Sequence, residues 1–244
     1  MRVTVIGCWG GYPAPNGATS VYLVEHNDFS LLIDFGSGAL SKVQNYVQLT
    51  DIDAVLLSHY HHDHIADIGV LQYAQLVQYY VDGKNNTLPI YGHLEDEDGF
   101  ASLTADYTKG IAYDPNQSLE IGPFVITFFK TKHPVPCYGM RITDGMHTFV
   151  YTADTAYDDR WIDFSWGADM MIADCNFYAH QNGSEAGHMT SQEAALIAKQ
   201  AHIQDLILSH LPQYGDFQQL VKEASQYFSG QVHLAHEGFV WYGR

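Results

Sequence analysis

The sequence predicts an α/β fold, with sheets covered by helices, on three observations. Short runs rich in β-branched and aromatic residues recur along the whole chain. Runs with helical apolar periodicity are interspersed among them. No tandem repeat, low-complexity tract or linker breaks the alternation, so residues 1–244 read as a single domain.

Taken in order, residues 3–6 form an opening strand that runs into the glycine loop of CWGGYP. Strands over 20–24 and 31–34 follow, and then a helix over 38–48. AVLLS, residues 54–58, is a strand whose exit is HYHHDH. A helix begins near Ile65 and covers 65–81. Its aromatic stretch QYAQLVQYY reads as a packing face rather than a base-stacking platform. Strands over 88–91, 124–129, 138–143, 148–152 and 170–174 come next. The helix over 191–202 has the best-marked start. Thr190 lies three residues before Glu193, a capping-box pattern, and Ala194, Ala195, Ile197 and Ala198 supply an apolar face. This places His188 in the loop just ahead of a helix N-terminus. A strand over 206–209, a helix over 217–228 and strands over 231–235 and 239–242 complete the chain.

Composition narrows the function. Hydrophobic residues make up 46% of the chain, enough for a substantial core, and no apolar run approaches the roughly 20 residues of a membrane span. The opening MRVTVIGCWGGYP is broken too early by glycine to read as a signal peptide. Cys8, Cys137 and Cys175 are odd in number and scattered, which suits cytoplasmic thiols better than a disulfide framework. With 11 Lys and Arg, unclustered, and a net charge of −17, nonspecific binding to nucleic acid or anionic membrane is disfavoured. A locally positive metal centre still attracts a small anion.

The stretch SHYHHDH concentrates the chemistry. His59, His61, Asp63 and His64 lie in the loop after a strand, where functional groups sit on a rigid scaffold. Imidazole with carboxylate suits zinc, iron or manganese. In an extended turn His59 and His61 share a side, and Asp63 and His64 turn toward a second position as the helix starts. One loop thus offers ligands to two adjacent ions. The alternative is a solvated polar turn, to which His62, between the ligand positions, is assigned.

Two catalytic metals need more ligands than one loop provides. His133, Asp154 and His210 each follow a strand-like run, the context in which His59 stands. Asp174, ending MMIAD, either orients a catalytic group or caps its turn. His26, His93, His147, His180, His202, His233 and His236 are read as ordinary polar residues, with His93 and His236 candidates for a pocket.

The chain resembles the metallo-β-lactamase superfamily over nearly its whole length. SHYHHDH matches the His-x-His-x-Asp-His signature; KTKHPVPCYGMRI, VYTADTA and LILSHL match the later metal motifs in order; and GHMTSQEAALIAKQA is similar to the His-x-Thr segment of the tRNA 3′-processing ribonuclease, RNase Z, and related phosphodiesterases. The resemblance implies a four-layer αββα sandwich of two mixed sheets flanked by helices. It implies one zinc on His59, His61 and His133, another on Asp63, His64 and His210, and Asp154 bridging them; manganese or iron suits the same ligands. Catalytic roles fall on Asp63 and His188, the latter facing the scissile phosphate without binding metal. RNase Z carries a long basic tRNA-gripping arm between the motifs matched by His133 and Asp154. Here that interval is 154 − 133 = 21 positions, which leaves no room for it.

The resemblance therefore implies a hydrolase of a small or cyclic phosphodiester, working through a metal-bridging hydroxide, without nucleic-acid or membrane partners and with a homodimer as the family's assembly. Two alternatives stay open. One is a hydrolase of a lactone, thioester or other carboxyl ester. The other is a metal-binding protein without hydrolysis, although the redox diiron members would show Glu in place of His61 and an attached flavin domain.

Overall fold

The structure, a computed structural model, describes residues 1–83 and 87–243. Contacts divide the chain into two compact units, Met1–Asp114 with Glu237–Tyr242, and Pro115–His236 with Gly243.

Among the described residues the first unit holds a seven-stranded mixed sheet. Its strands are β1 (Arg2–Gly7), β2 (Val21–His26), β3 (Phe29–Ile33), β4 (Ala54–Leu56), β5 (Leu88–Gly92), β6 (Thr108–Ala112) and β14 (Val240–Tyr242), in the order β14-β1-β2-β3-β4-β5-β6. Antiparallel pairing joins β14, β1, β2 and β3, and parallel pairing continues from β3 to β6. The β2–β3 turn is tight because Asn27 takes a left-handed φ of 54°, which asparagine tolerates better than most residues. Register pairs Tyr22 with Ile33 and Val24 with Leu31. One face of the sheet sets Leu23, Leu32, Val55 and Ile90 in a core shared with Val43, Leu49, Ile68, Leu71 and Leu103.

The helices of this unit depart from the sequence reading. The one expected over 38–48 contracts to α1 (Ala39–Val43), because the chain then continues in three-residue turns, Asn45 bonding to Lys42 and Tyr46 to Val43. The one expected over 65–81 is two pieces, a single turn α2 (His62–Ile65) and the longer α3 (Ile68–Asp82). So helix begins inside the histidine cluster, not after it. A helix expected to pack through its tyrosines instead packs through Ile68, Leu71 and the partly buried Ala74. The short α4 (Glu97–Ala101), capped by Asp96, and β6 had no sequence signal, since EDGFA and TKGIA are brief and interrupted by glycine.

The second unit also holds a seven-stranded mixed sheet among the described residues: β7 (Leu119–Ile121), β8 (Phe124–Lys130), β9 (Tyr138–Thr143), β10 (Thr148–Tyr151), β11 (Met170–Asp174), β12 (Asp205–Ser209) and β13 (Gln231–Leu234). β7 to β10 pair antiparallel in sequence order, and β10 to β13 pair parallel. β11 is buried at all five positions, as a strand between parallel neighbours requires. α5 (Arg160–Ser165), α6 (Ser191–Gln200) and α7 (Phe217–Ser225) complete the unit. The capping box at Thr190 and Glu193 is formed, and Ala194, Ala195, Ile197 and Ala198 are buried. The expected ends of α6 and α7 at 202 and 228 fall short by two and three residues, in frayed turns.

These two folded sheets match the metallo-β-lactamase architecture the sequence implied. No helix among the described residues is long and apolar enough to cross a membrane. All three cysteines are buried and none is in a disulfide. Burial pushes the Cys8 thiol up to about 12 and the Cys175 thiol well above its ordinary value.

Trp161 is the largest fully buried side chain. Its ring lies 4.1 Å from that of Phe129, its indole N–H faces Thr155 Oγ1 at 3.4 Å, and a Cβ on Gly139 would stand 2.2 Å from it. Trp161→Ala is expected to cost about 3–5 kcal/mol in urea unfolding, and to loosen the 152–156 loop that Thr155 belongs to.

Candidate metal centre

Both units place site residues at strand ends; Asp34, Asp174 and His210 stand at the ends of strands with a parallel neighbour, the usual position for function in such sheets. In the first unit the brace is Asp34, the residue after β3. It is fully buried, and its φ of 55° turns the chain sharply. Asp34 Oδ1 accepts from Ser58 N–H at 2.8 Å, and Oδ2 accepts from Ser58 Oγ at 2.9 Å and His64 Nδ1 at 2.7 Å. Ser58 Oγ, its proton given to Asp34, is left to accept from His59 Nδ1 at 3.0 Å. Both His59 and His64 therefore carry their proton on Nδ1 and direct the Nε2 lone pair toward the site, as hydrogen bonds to the far nitrogen of a metal-binding histidine do.

The placing of the loop's other candidate ligands follows from α2. His61 is its N-cap, with extended φ and ψ, while Asp63 and His64 are buried on its single turn and His62 is exposed. Gly11 N–H donates to Asp63 Oδ2 at 2.7 Å. The 34–36 segment locks against the turn, with Phe35 N–H bonded to His64 O at 2.7 Å. A Cβ on Gly36 would stand 2.0 Å from Asp63 O, so only glycine fits there.

In the second unit Asp154 is the centre. It is 1% exposed and follows Ala153, which has a left-handed φ of 51°. Its Oδ1 lies 3.0 Å from His210 Nδ1 and its Oδ2 lies 3.8 Å from His133 Nε2. His133 donates Nδ1–H to Gly187 O at 3.1 Å, which leaves Nε2, the nitrogen facing Asp154, as its acceptor atom. His210, after β12, also takes a left-handed φ, 52°.

Close beside them stands His188. Its ring stacks on His210 at 5.0 Å and meets His133 edge-on at 5.3 Å. Nδ1 donates to Asp174 Oδ2 at 2.8 Å. That same oxygen accepts from Thr155 N–H at 3.0 Å, and Asp174 N–H is held by Thr152 Oγ1 at 2.9 Å. Asp174 thus orients a histidine, the first of the two roles its sequence position allowed.

The donor sets fit metal ions. Two ligands about 2.05 Å from a tetrahedral zinc stand roughly 3.3 Å apart. The facing atoms here are spaced like that: 3.2 Å for His59 Nε2 and His61 Nδ1, 3.6 Å for His64 Nε2 and Asp63 Oδ2, 3.0 and 3.8 Å for the pairs at Asp154. Asp154 offers a different oxygen to each of two imidazoles, the disposition of a carboxylate shared between ions. Among the described residues His93 and His236 join no ligand group. His93 is buried after β5, with Tyr60 Oη donating to its carbonyl at 2.7 Å, and His236 is exposed.

A cavity of about 540 Å³ lies at His133, lined also by Lys132, Tyr157, Ser184 and Glu185. Beside it Arg160, hydrogen-bonded to Asp158 and helped by Lys132, holds that buried carboxyl down at about 2. The cations there are anchored rather than free.

Asp34 and Ser58 were not picked out as site residues in the sequence. The signal existed: Asp34 ends an apolar strand in LLIDFG, the same context that marked His133, Asp154 and His210.

Residues 31–211 match the β-lactamase superfamily domain, and the chain belongs to that superfamily. It is a metallo-hydrolase of that class with a His/Asp metal-binding cluster. The chain is 57% identical, over the full length of both, to a Bacillus subtilis protein called probable metallo-hydrolase YhfI. The crystal structure of that protein superposes with a TM-score of 0.98 over 99% of each chain. A ribonuclease Z of Metallosphaera sedula is 25% identical over 93% of this chain and 94% of its own. Human tRNase Z, short form, shares the fold at 22% identity, with a TM-score of 0.76 and 99% of each chain covered.

Asp34→Asn is expected to weaken divalent-metal binding about 10–100-fold, because the amide keeps only one acceptor oxygen and turns its NH2 against a donor, either Ser58 N–H or the pair Ser58 Oγ and His64 Nδ1. Competition against a chromogenic chelator measures it, and unchanged affinity would remove Asp34 from the metal-holding network.

Proposed function

We propose that the chain is a dinuclear metal phosphodiesterase acting on a small or cyclic phosphodiester. His59, His61 and His133 serve one ion, Asp63, His64 and His210 the other, and Asp154 both. The support is the donor geometry within each unit, together with the place these residues take in the superfamily's motifs. Zinc is the ion these donors suit best, with manganese or iron as substitutes.

The observation that carries the reading is the Asp174–His188 pair. His188 touches the rings of two ligands, yet its own Nδ1 proton is committed to Asp174. The two four-residue donor groups at Asp154 form without it, although it shares a third group with Asp154 and Asp174. Its Nε2 is oriented by the Nδ1 bond, and the buried carboxylate stabilises the imidazolium.

Divalent ions held there would supply an activated water near neutral pH and would withdraw charge from the non-bridging oxygens of a phosphodiester. The chain's part is to hold, orient and protonate. Asp34 and Gly187 fix the tautomers of His64 and His133. Gly11 N–H donates to Asp63 Oδ2, the oxygen that faces His64 Nε2, and so fixes the carboxylate in place. His188 delivers the proton from Nε2 to the departing alkoxide oxygen, and Asp174 holds the ring while it does so.

Local structure supports a small substrate. The interval between His133 and Asp154 is filled by β9, β10 and their turn, and the cavity at His133 has the volume of a small-molecule site. The relative named ribonuclease Z supports phosphorus as the centre attacked.

His188→Ala is expected to lower kcat on bis-p-nitrophenyl phosphate about 10²–10⁴-fold with metal content unchanged by elemental analysis. Loss of metal from this variant, or full turnover, overturns the role given to His188. A panel of cyclic nucleotides, lactones and thioesters tests the substrate class. Turnover of a lactone or thioester with no hydrolysis of any phosphodiester overturns the reading in favour of carboxyl esters.

A further inference from the structure

Glu223 is a buried carboxylate that the proposed reaction leaves unused. It lies on α7 at 8% exposure and is the only buried glutamate among the described residues. Burial works to raise its carboxyl, yet hydrogen bonds from Ser191, Ala179 and Gln219 together hold it below its ordinary value, so it is charged at neutral pH. A charge taken out of water is costly and persists only where donors fill its lone pairs.

The origin of those donors is informative. Glu223 Oε2 accepts from Ala179 N–H at 2.9 Å and from Ser191 Oγ at 2.5 Å, and Oε1 accepts from Gln219 Nε2 at 3.1 Å, one turn earlier on the same helix. Ala179 and Ser191 stand on the two limbs of one loop. Residues 178–189 contain no helix or strand, and Asn182, Ser184, Glu185 and Ala186 are exposed. The limbs meet where Phe177 N–H donates to Met189 O at 3.2 Å and Ser191 N–H to Phe177 O at 3.0 Å. Bonds from Ser184 Oγ to Asn182 Oδ1 and from Tyr178 N–H to Gln181 Oε1 shape the loop internally, whereas Glu223 ties it to a helix. His188 rides on the second limb, three residues before Ser191, with its N–H on Gly183 O at 3.0 Å. One carboxylate oxygen thus joins the entry and the exit of the loop that presents His188 to Asp174. Both bonds end on a charged acceptor, which makes each roughly twice as strong as a neutral one.

We propose, on the acid role given to His188, that Glu223 is a positioning residue for the reaction: it clamps the two limbs of the 178–190 loop and so keeps His188 aligned on Asp174. Misplacing a reacting group by about 1 Å costs on the order of 10²-fold even when the change is remote.

Hydrogen exchange and steady-state kinetics on the full chain test this together. Glu223→Ala is expected to speed amide exchange across residues 178–190 about 10-fold or more. Its kcat on bis-p-nitrophenyl phosphate is expected to fall about 10–100-fold, with KM and metal content unchanged. Glu223→Gln, whose amide oxygen still accepts from both limbs, is expected to stay within about 3-fold of wild type. In a His188→Ala background, Glu223→Ala is expected to cost nothing further. Should Glu223→Ala fail to fold, Ser191→Ala removes one donor while Ala179 and Gln219 still fill the carboxylate, and a loss of about 3–10-fold in kcat is expected. A loop that exchanges no faster in Glu223→Ala overturns the clamp. So does a kcat that Glu223→Ala lowers equally with and without His188, the pattern of general support. Full activity of His188→Ala overturns the acid role itself, and is told apart because exchange then still quickens in Glu223→Ala.

Discussion

A buried carboxylate that accepts three hydrogen bonds is the constraint on which the first unit's chemistry rests. Asp34 has no exposed surface and is held by Ser58 and His64. A buried charge of this kind is tolerable only when its lone pairs are filled by well-aligned donors. The requirement fixes the exit of β4, because Ser58 must present both its N–H and its hydroxyl. It also fixes which imidazole nitrogen of His59 and of His64 is protonated. Ligand direction and tautomer are thus consequences of satisfying one buried group.

The second unit reaches the same end with different parts. Asp174 takes the place of an anchoring carboxylate, accepting from Thr155 N–H and His188 Nδ1 while Thr152 steadies its own N–H. Two residues around the site, Ala153 and His210, hold left-handed backbone that costs of order 1–3 kcal/mol each outside glycine. Such conformations persist where surrounding bonds over-determine them. Here Asn176 Nδ2 is bonded to His210 O at 2.9 Å, and the thiol of Cys137 lies 3.5 Å from Asp154 O. The loops are paid for by the strands that end in them.

Much of this was legible in the sequence, and the reasons differ by element. The parallel strands announced themselves as continuous apolar runs, and Asp34, Asp174 and His210 end or directly follow one, so position along the chain carried chemical information. The capping box located α6 and with it His188. Short elements were opaque: β6, β7, α4 and α5 contain three to six residues, too few for a period to emerge. The split of α2 from α3 was hidden because HDHI and IGVLQ join in one helical-looking stretch, whereas the chain pauses at Asp67, whose N–H bonds to Phe35 O while its Oδ2 accepts from Leu40 N–H. Periodicity also misjudged α3. It shows that apolar residues recur, but an outward apolar face and an inward one have the same period, and only burial tells them apart.

The cysteines carry a consequence of another kind. Cys8, Cys137 and Cys175 are all enclosed, and for Cys8 and Cys175 burial keeps the thiol protonated far beyond neutral conditions. Native sulfur is accordingly poorly available to alkylating reagents in the folded protein. A cysteine introduced on the surface would then be the preferred point of attachment for a fluorophore or spin label, so distances could be followed in solution without first stripping the chain of its own thiols.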